Sequence, residues 1–265
     1  MKVVLFCGGL GLRMSDGSGS IPKPMVPIGT RPILWHIMKY YAHHGHKDFI
    51  LCLGHRAEAI KDFFLNYNEA LSNDFVLSAG GKQIDLVRSD IDDWRITFAD
   101  TGLHSNIGQR LCAIREYLDD DESFLATYGD GLTNAPLPDV VASHHQHKSV
   151  ATFLCVRPTN YSFHTVDVKR SGLVGGIQDI TQANIWINGG FFVLDRRIFD
   201  FIEPGEDLVE RPFVRMMEAK QVRAYRYEGF WAPMDTLKDK HNLEALLEGG
   251  HPPWQVWEPN GHPTS

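Results

Sequence analysis

Four stretches of this sequence combine residue types that hold phosphate and divalent cations. GGLGLRM (8–14) is followed, after a Ser/Gly/Asp stretch, by PKPMVPIG (22–29). Glycines let a backbone approach a ligand closely and turn its amides toward phosphate oxygens, and Arg13 and Lys23 add positive charge beside them. Neither the dinucleotide pattern GxGxxG nor the phosphate-loop pattern GxxxxGK[ST] is satisfied, and a glycine-rich surface loop accounts for the same residues on its own. In TYGDGLT (127–133) an apolar run ends at Asp130 between two glycines, and in GFWAPMDTLKD (229–239) Asp235 follows an aromatic, proline-containing stretch. Two carboxylates at such turns are the usual hard oxygen ligands for Mg2+, or Mn2+, bound with phosphates. Either alone serves as well as a turn former or helix cap, Asp235 before TLKDK in particular. Their joint occurrence with the Gly/Arg/Lys loop favours the metal.

Other residues carry weaker signals. HHGH (43–46) and HHQH (144–147) resemble metal clusters but sit at or near expected helix ends, where solvated histidine is common. His164, in YSFH (161–164), is a titratable group beside aromatics and suits acid or base work near neutral pH, with a hydrogen-bonded strand histidine as the plainer alternative. Trp35, Trp94 and Trp186 lie in apolar surroundings and read as core.

These groups need rigid elements to aim them. KVVLFCG (2–8), DFILCLG (48–54), WRITFADTG (94–102), SFLATYGDG (123–131), SVATFLCV (149–156) and GFFVL (190–194) read as strands, several apolar throughout, as strands covered on both faces are. Helical patterns lie between them. RPILWHIMKYYAHHG (31–45) puts Ile33, Leu34, Ile37, Met38 and Tyr41 on one face and stops at Gly45. HRAEAIKDFFLNY (55–67), GQRLCAIREYLDD (108–120) and PDVVASHHQHK (138–148) read similarly. The alternation predicts a three-layer α/β fold, Rossmann-like, with a mainly parallel central sheet, and ligands beyond the carboxyl ends of its strands. After residue 156 the pattern weakens. HTVDVKR and VRAYRYEG suggest a second, mixed sheet region, and PPWQVW (252–257) a packed, extended tail. One domain over 1–257, with a tail at 258–265, is the expected organisation.

The 265 residues are 43% apolar and 22% charged, within the range of ordinary globular proteins. A formal charge of -7 argues against general affinity for nucleic acid while allowing a local cationic pocket. Cys7, Cys52, Cys112 and Cys155 have no zinc-type spacing and read as buried free thiols. VVLF at the start is too brief for a signal segment, and with no apolar run near 18 residues the expectation is a cytoplasmic protein without membrane contact.

GGLGLRM with PKPM, then PILWHIMK, YGDG, WINGGFF and GFWAPMDTL, resemble in order and spacing the sugar-1-phosphate nucleotidyltransferases, the glucose-1-phosphate cytidylyltransferase branch most of all. The resemblance runs from residue 2 to about 257. It implies a Rossmann-like nucleotidyltransferase fold that transfers a nucleotidyl group from an NTP to a sugar 1-phosphate and releases pyrophosphate, commonly as a homo-oligomer. Carried over residue by residue, Gly8, Gly9, Leu10 and Gly11 would line the nucleotide, with Thr101 and Gly108 added to that set. Arg13 and Lys23 would act on its phosphates, Asp130 and Asp235 would hold Mg2+, and Asn188 with Gly189 would touch the sugar.

Two departures from the family pattern stand out. Leu12 and Met14 replace the hydroxyl-containing GTRL sequence of the first loop, and the Glu-Lys-Pro motif before the Asn-Gly-Gly segment is missing. Its place is taken by GGIQDITQANIWINGG (175–190), which contains no lysine. Joining two polyanions requires cations on both, so the sequence predicts weak pyrophosphate release unless Arg157, His164, Lys169 or Arg170 substitutes. The alternative is an NDP-sugar mutase or isomerase that interconverts pyranose and furanose rings on the same scaffold, with His164 or another ring-facing group handling protons.

Overall fold

Seven strands make the central sheet: β1 (Val3–Phe6), β2 (Asp48–Leu53), β3 (Arg95–Asp100), β4 (Ser123–Tyr128), β5 (Ala151–Val156), β6 (Ile187–Asp195) and β7 (Val222–Tyr227). The computed structural model describes residues 1–9, 21–118, 121–158 and 164–257. Strand order is β7-β5-β6-β4-β1-β2-β3. Only β6 runs against the rest, pairing antiparallel with both β5 and β4, while β1 pairs parallel with β2 and β4.

Strand periodicity of two divides the core. Val3, Leu5, Phe49, Leu51 and Leu125 face one apolar cluster, and Val4, Phe6, Ile50, Cys52, Phe124 and Ala126 face another. The first is covered by α1 (Ile33–His43), α2 (Ala57–Leu65), α4 (Leu137–His147) and α6 (Leu237–Glu248), the second by α3 (Ile107–Ala113) and α5 (Arg211–Glu218). This is the three-layer arrangement read from the sequence. In α1 the five expected apolar residues are all buried, and Gly45 just beyond its end takes φ +83°, a conformation that favours glycine.

The expected second sheet region is not formed as one unit. Val222–Tyr227 is an edge strand of the central sheet, parallel to β5, whereas His164–Val168 pairs with Val174–Asp179 in a separate, largely exposed hairpin. Polar alternation along VRAYRYEG reflects its place at the sheet edge, with one strand neighbour. Cys7, Cys52 and Cys155 are buried, but Cys112 on α3 is exposed. No helix among the described residues is long and apolar enough to cross a membrane.

The C-terminal segment packs through turns, with Trp254 only 1% exposed. Its indole N–H donates to His36 Nδ1 at 3.3 Å, and His36 Nε2 lies 3.1 Å from the Ile28 carbonyl. A carbonyl only accepts and an indole N–H only donates, so His36 is neutral with its proton on Nε2. Burial holds its pKa down at about 4. The unfolded chain then takes up the proton first. Stability conferred by neutral His36 is complete above about pH 6.5, declines by about 1.4 kcal/mol per pH unit as the pH falls, and levels off below the folded pKa. Urea unfolding at pH 7 and pH 5 should show a smaller loss for His36→Gln than for the wild type; equal losses would contradict this assignment.

Candidate active site

Asp130 and Asp235, distant in sequence, are brought together by a short ladder. Gly131–Thr133, directly after Asp130, pairs antiparallel with Trp231–Pro233, and Met234 N donates to the Asp130 carbonyl at 2.8 Å. The Lys23 ammonium lies between their side chains, 2.6 Å from Asp130 Oδ2 and hydrogen-bonded to Asp235 Oδ1. Burial opposes the charge on Lys23, but Asp130 and the hydrogen bonds to both carboxylates prevail, and its pKa is raised.

Local chemistry accounts for each placement. Prolines on both sides of Lys23 fix a single 3-10 turn, Lys23–Met25. That turn packs where Gly129 has no side chain: a carbon there would come within 3.1 Å of both Phe6 O and Pro24 Cγ. At the other carboxylate, the cap of α6 is Thr236, in a reciprocal box with Asp239. Asp235 is thereby relieved of the capping duty its position suggested and is left to face Lys23.

A cleft of about 240 Å³ opens beside the pair, lined by Thr127, Tyr128, Asp130, Asn188, Gly189 and Asp235 among others. Asn188 Oδ1 accepts from Gly190 N at 2.9 Å, and Trp231 Nε1 donates to the Gly189 carbonyl at 2.8 Å, which fixes this floor. Burial, with Asp207 and Asp130 adding, pushes the Tyr128 phenol up to about 12, so it stays a neutral hydrogen-bonding group. Lys23, Asp130, Asp235, Asn188 and Gly189 therefore converge as the sequence suggested. Tyr128 and Trp231, within the quoted motifs, were not singled out there; a polar aromatic one position before Gly-Asp-Gly and an indole in GFWAPMD were the available signals.

The remaining expected residues occupy other places. Leu10, Gly11 and Arg13 lie outside the described residues. Gly9 is exposed, and Gly8 offers its carbonyl to Arg110 Nη2 at 2.9 Å. Thr101 is buried, donating to Leu53 O at 2.7 Å and accepting from Arg110 Nη1 at 2.7 Å. Gly108 packs α3 on the backbone of Glu206, whose carbonyl would stand 2.2 Å from any side-chain carbon. His164 is exposed on its hairpin, in register with Asp179, and is not among the residues lining the cleft. Arg110, unremarked in the sequence, ties Gly8, Leu53 and Thr101 together; an arginine within the apolar stripe of α3 was its signal.

A divalent ion fits the donor set at Asp130 and Asp235. Both already hold one cation in common, and both are hard oxygen donors. Among the described residues no group of three or more His, Cys, Asp or Glu converges as a metal cluster, so an ion here would draw its other ligands from phosphate and water. The two histidine runs do not form one: buried His144 instead holds Thr152 Oγ1 at 3.0 Å. Trp186, expected in the core, is half-buried beside two arginines, with Arg157 Cζ at 5.0 Å and Arg226 Cζ at 5.4 Å from its ring.

Comparison with known proteins identifies the family. The Nucleotidyl transferase family matches residues 2–239. The glucose-1-phosphate cytidylyltransferase of Salmonella typhimurium is 40% identical over 260 residues, covering 97% of this chain and all of the relative. The probable glucose-1-phosphate cytidylyltransferase of Bacillus subtilis is 37% identical over 259 residues, again covering 97% of this chain and all of the relative. Among solved structures, UTP-bound UGPase from Acinetobacter baumannii superposes with a TM-score of 0.69 at 18% identity, covering 97% of this chain and 96% of that one. HddC from Yersinia pseudotuberculosis gives 0.65 at 19%, covering 93% and 99%. The two superpositions establish a shared fold. With a family match over most of its length and two relatives above one-third identity, this chain belongs to the nucleotidyltransferase family.

Proposed function

We propose that this protein transfers a nucleotidyl group from an NTP, CTP foremost, to a sugar 1-phosphate, glucose 1-phosphate foremost. The observation that carries the reading is the convergence of Asp130 and Asp235 on Lys23 at the mouth of a cleft floored by Asn188 and Gly189. The choice of CTP and glucose 1-phosphate rests on the names of the relatives.

In this reaction an oxygen of the sugar phosphate bonds to the α-phosphorus of the NTP. The bond from that phosphorus to the bridging oxygen of the β-phosphate breaks, and pyrophosphate leaves with the electron pair. No general base is required, because the attacking phosphate is already ionised. Lys23 orients phosphate oxygens while balancing two carboxylates, Arg13 meets charge on the leaving group, and Asn188 with Gly189 positions the sugar. Asp130 and Asp235 would hold Mg2+ or Mn2+, whose chemistry is charge neutralisation on phosphate oxygens. The ring-interconverting alternative named His164 or another ring-facing group for the proton, and the exposed position of His164 lends that first choice no support.

Pyrophosphate release should be assayed across the common NTPs and hexose 1-phosphates, alongside the ring form of NDP-sugars. Release at kcat/KM of about 10⁴ per molar per second or more is expected for the preferred pair. Ring interconversion without release would overturn the reading.

A further inference from the structure

The sugar phosphate consumed by the proposed reaction carries a dianion into a cleft lined by two carboxylates, and the one ammonium beside them, Lys23, is already shared between both, so the phosphate needs cations of its own. Residues 175–190 offer none. Of the cations elsewhere, His164 and Lys169 are exposed on a hairpin that forms a two-stranded sheet of its own, and Arg170 is exposed in its turn.

Arg157 is placed differently. It follows β5 directly, and β5 runs parallel to β4 and β1, so it emerges at the same sheet edge that delivers Asp130 and the Gly8–Gly9 loop. Because β6 is antiparallel, it enters the sheet at this edge: Val156 is in register with Ile187 and Cys155 with Asn188. On the other side of β5, Cys155 is in register with Arg226 and Val156 with Tyr227. Arg157, Trp186 and Arg226 do not themselves line the cleft but are held next to Ile187 and Asn188, which do, and both guanidinium groups lie against the Trp186 ring. The Arg157 Nε is buried and has no hydrogen-bond partner among the described residues, whereas its Nη2 reaches the largely exposed Glu228 at 3.2 Å.

We infer that Arg157 and Arg226, both packed against Trp186, bind the phosphate of the sugar 1-phosphate. A guanidinium can stack on an indole face and still present a planar fork of donors to a phosphate, which an ammonium cannot do. The stacking orders two flexible side chains in advance, and a phosphate would displace exposed Glu228 from the Arg157 Nη2. The assignment also explains why Trp186 sits at the sheet edge rather than in the core. On it, the lysine-free segment before Asn188 does not entail weak pyrophosphate release.

The assignment rests on the proposed reaction, and its test separates the two. Binding of glucose 1-phosphate, of glucose and of CTP would be measured by calorimetry for the wild type, Arg157→Gln, Arg226→Gln, the double variant and Arg157→Lys. The measurements would be made with and without a non-reacting α,β-methylene analogue of CTP. Each Gln variant should weaken glucose 1-phosphate about tenfold or more, and the double variant more than either, with CTP changed less than about twofold. Arg157→Lys should recover only part of the loss. Unchanged glucose 1-phosphate affinity in the double variant, an equal loss for CTP, or no glucose 1-phosphate binding by the wild type would each overturn the assignment. Pyrophosphate release is the separate arm. Wild-type binding without release would sink the reaction and leave the subsite standing, while release with an unaltered sugar-phosphate KM in the double variant would do the reverse.

Discussion

Asp235→Asn should lower kcat/KM for pyrophosphate release by about 10²- to 10³-fold, the scale seen when one preorganised electrostatic group is removed from a site where charge develops. Asparagine keeps the shape and one oxygen but removes the charge, so Lys23 would pair with Asp130 alone. The Mg2+ concentration for half-maximal activity should rise with it. Asp130→Asn should behave similarly, and the double variant should fall well short of the product of the two losses, because both carboxylates act on the same cation. Activity of Asp235→Asn within about threefold of the wild type would remove Asp235 from the machinery, since so small a change is under 1 kcal/mol.

Arg110→Met should destabilise the protein by at least about 3 kcal/mol, since hydrogen bonds to a charged group contribute about 1.5 to 3 kcal/mol each. Its guanidinium, 3% exposed, donates to Leu53 O at 3.0 Å, Thr101 Oγ1 at 2.7 Å and Gly8 O at 2.9 Å. These acceptors stand at the ends of β1, β2 and β3, so the residue ties together the sheet edge from which the Gly8–Gly9 loop leaves. Met fills comparable volume but takes the Arg110 donor from the Gly8 carbonyl and the Thr101 hydroxyl, while the Leu53 carbonyl keeps Thr101. Thermal unfolding should come about 6–12 °C earlier, and nucleotide affinity should fall as the loop loosens. Gly8→Ala should act on the same contact from the other side, since its side-chain carbon would lie 2.1 Å from Arg110 Nη1. A loss under about 1 kcal/mol for Arg110→Met would show that water replaces the guanidinium without penalty.

The legible parts of the molecule are those whose signal is local. All six apolar runs are strands of the central sheet, those covered on both faces because they must be apolar throughout and the edge strand β3 in spite of its partial exposure, and the four expected helices carry an apolar stripe that the sheet requires. What the sequence did not reveal depends on neighbours. Val222–Tyr227 alternates because it is an edge, and nothing within it says which sheet it edges. The hairpin Phe75–Ser78 with Gln83–Leu86 exposes apolar side chains, so burial periodicity gave no guide to it. The α5 helix hides behind a chain rich in charge, showing its core face only at Phe213 and Met216.

The site divides in the same way. Lys23, Asp130 and Asp235 are marked by the prolines and glycines that shape their turns, but their contact depends on a ladder between segments far apart in the chain. Whether Asp235 capped α6 turned on its neighbour Thr236, a competition that residue types alone do not decide. Arg110 and Trp186 went the other way. One is a charge inside the fold, the other an indole outside the core, and each is explained only by partners from other strands.

The most direct test of the central claim follows the α-phosphorus itself. Purified protein is incubated with Mg2+, α-³²P-labelled CTP and unlabelled glucose 1-phosphate, and the products are separated. The account predicts that the label appears in a CDP-sugar while the released pyrophosphate stays unlabelled, and that Asp235→Asn suppresses both products together. Label that remains in CTP, or in CMP formed without a nucleotide sugar, under conditions where the protein binds both substrates, would contradict it.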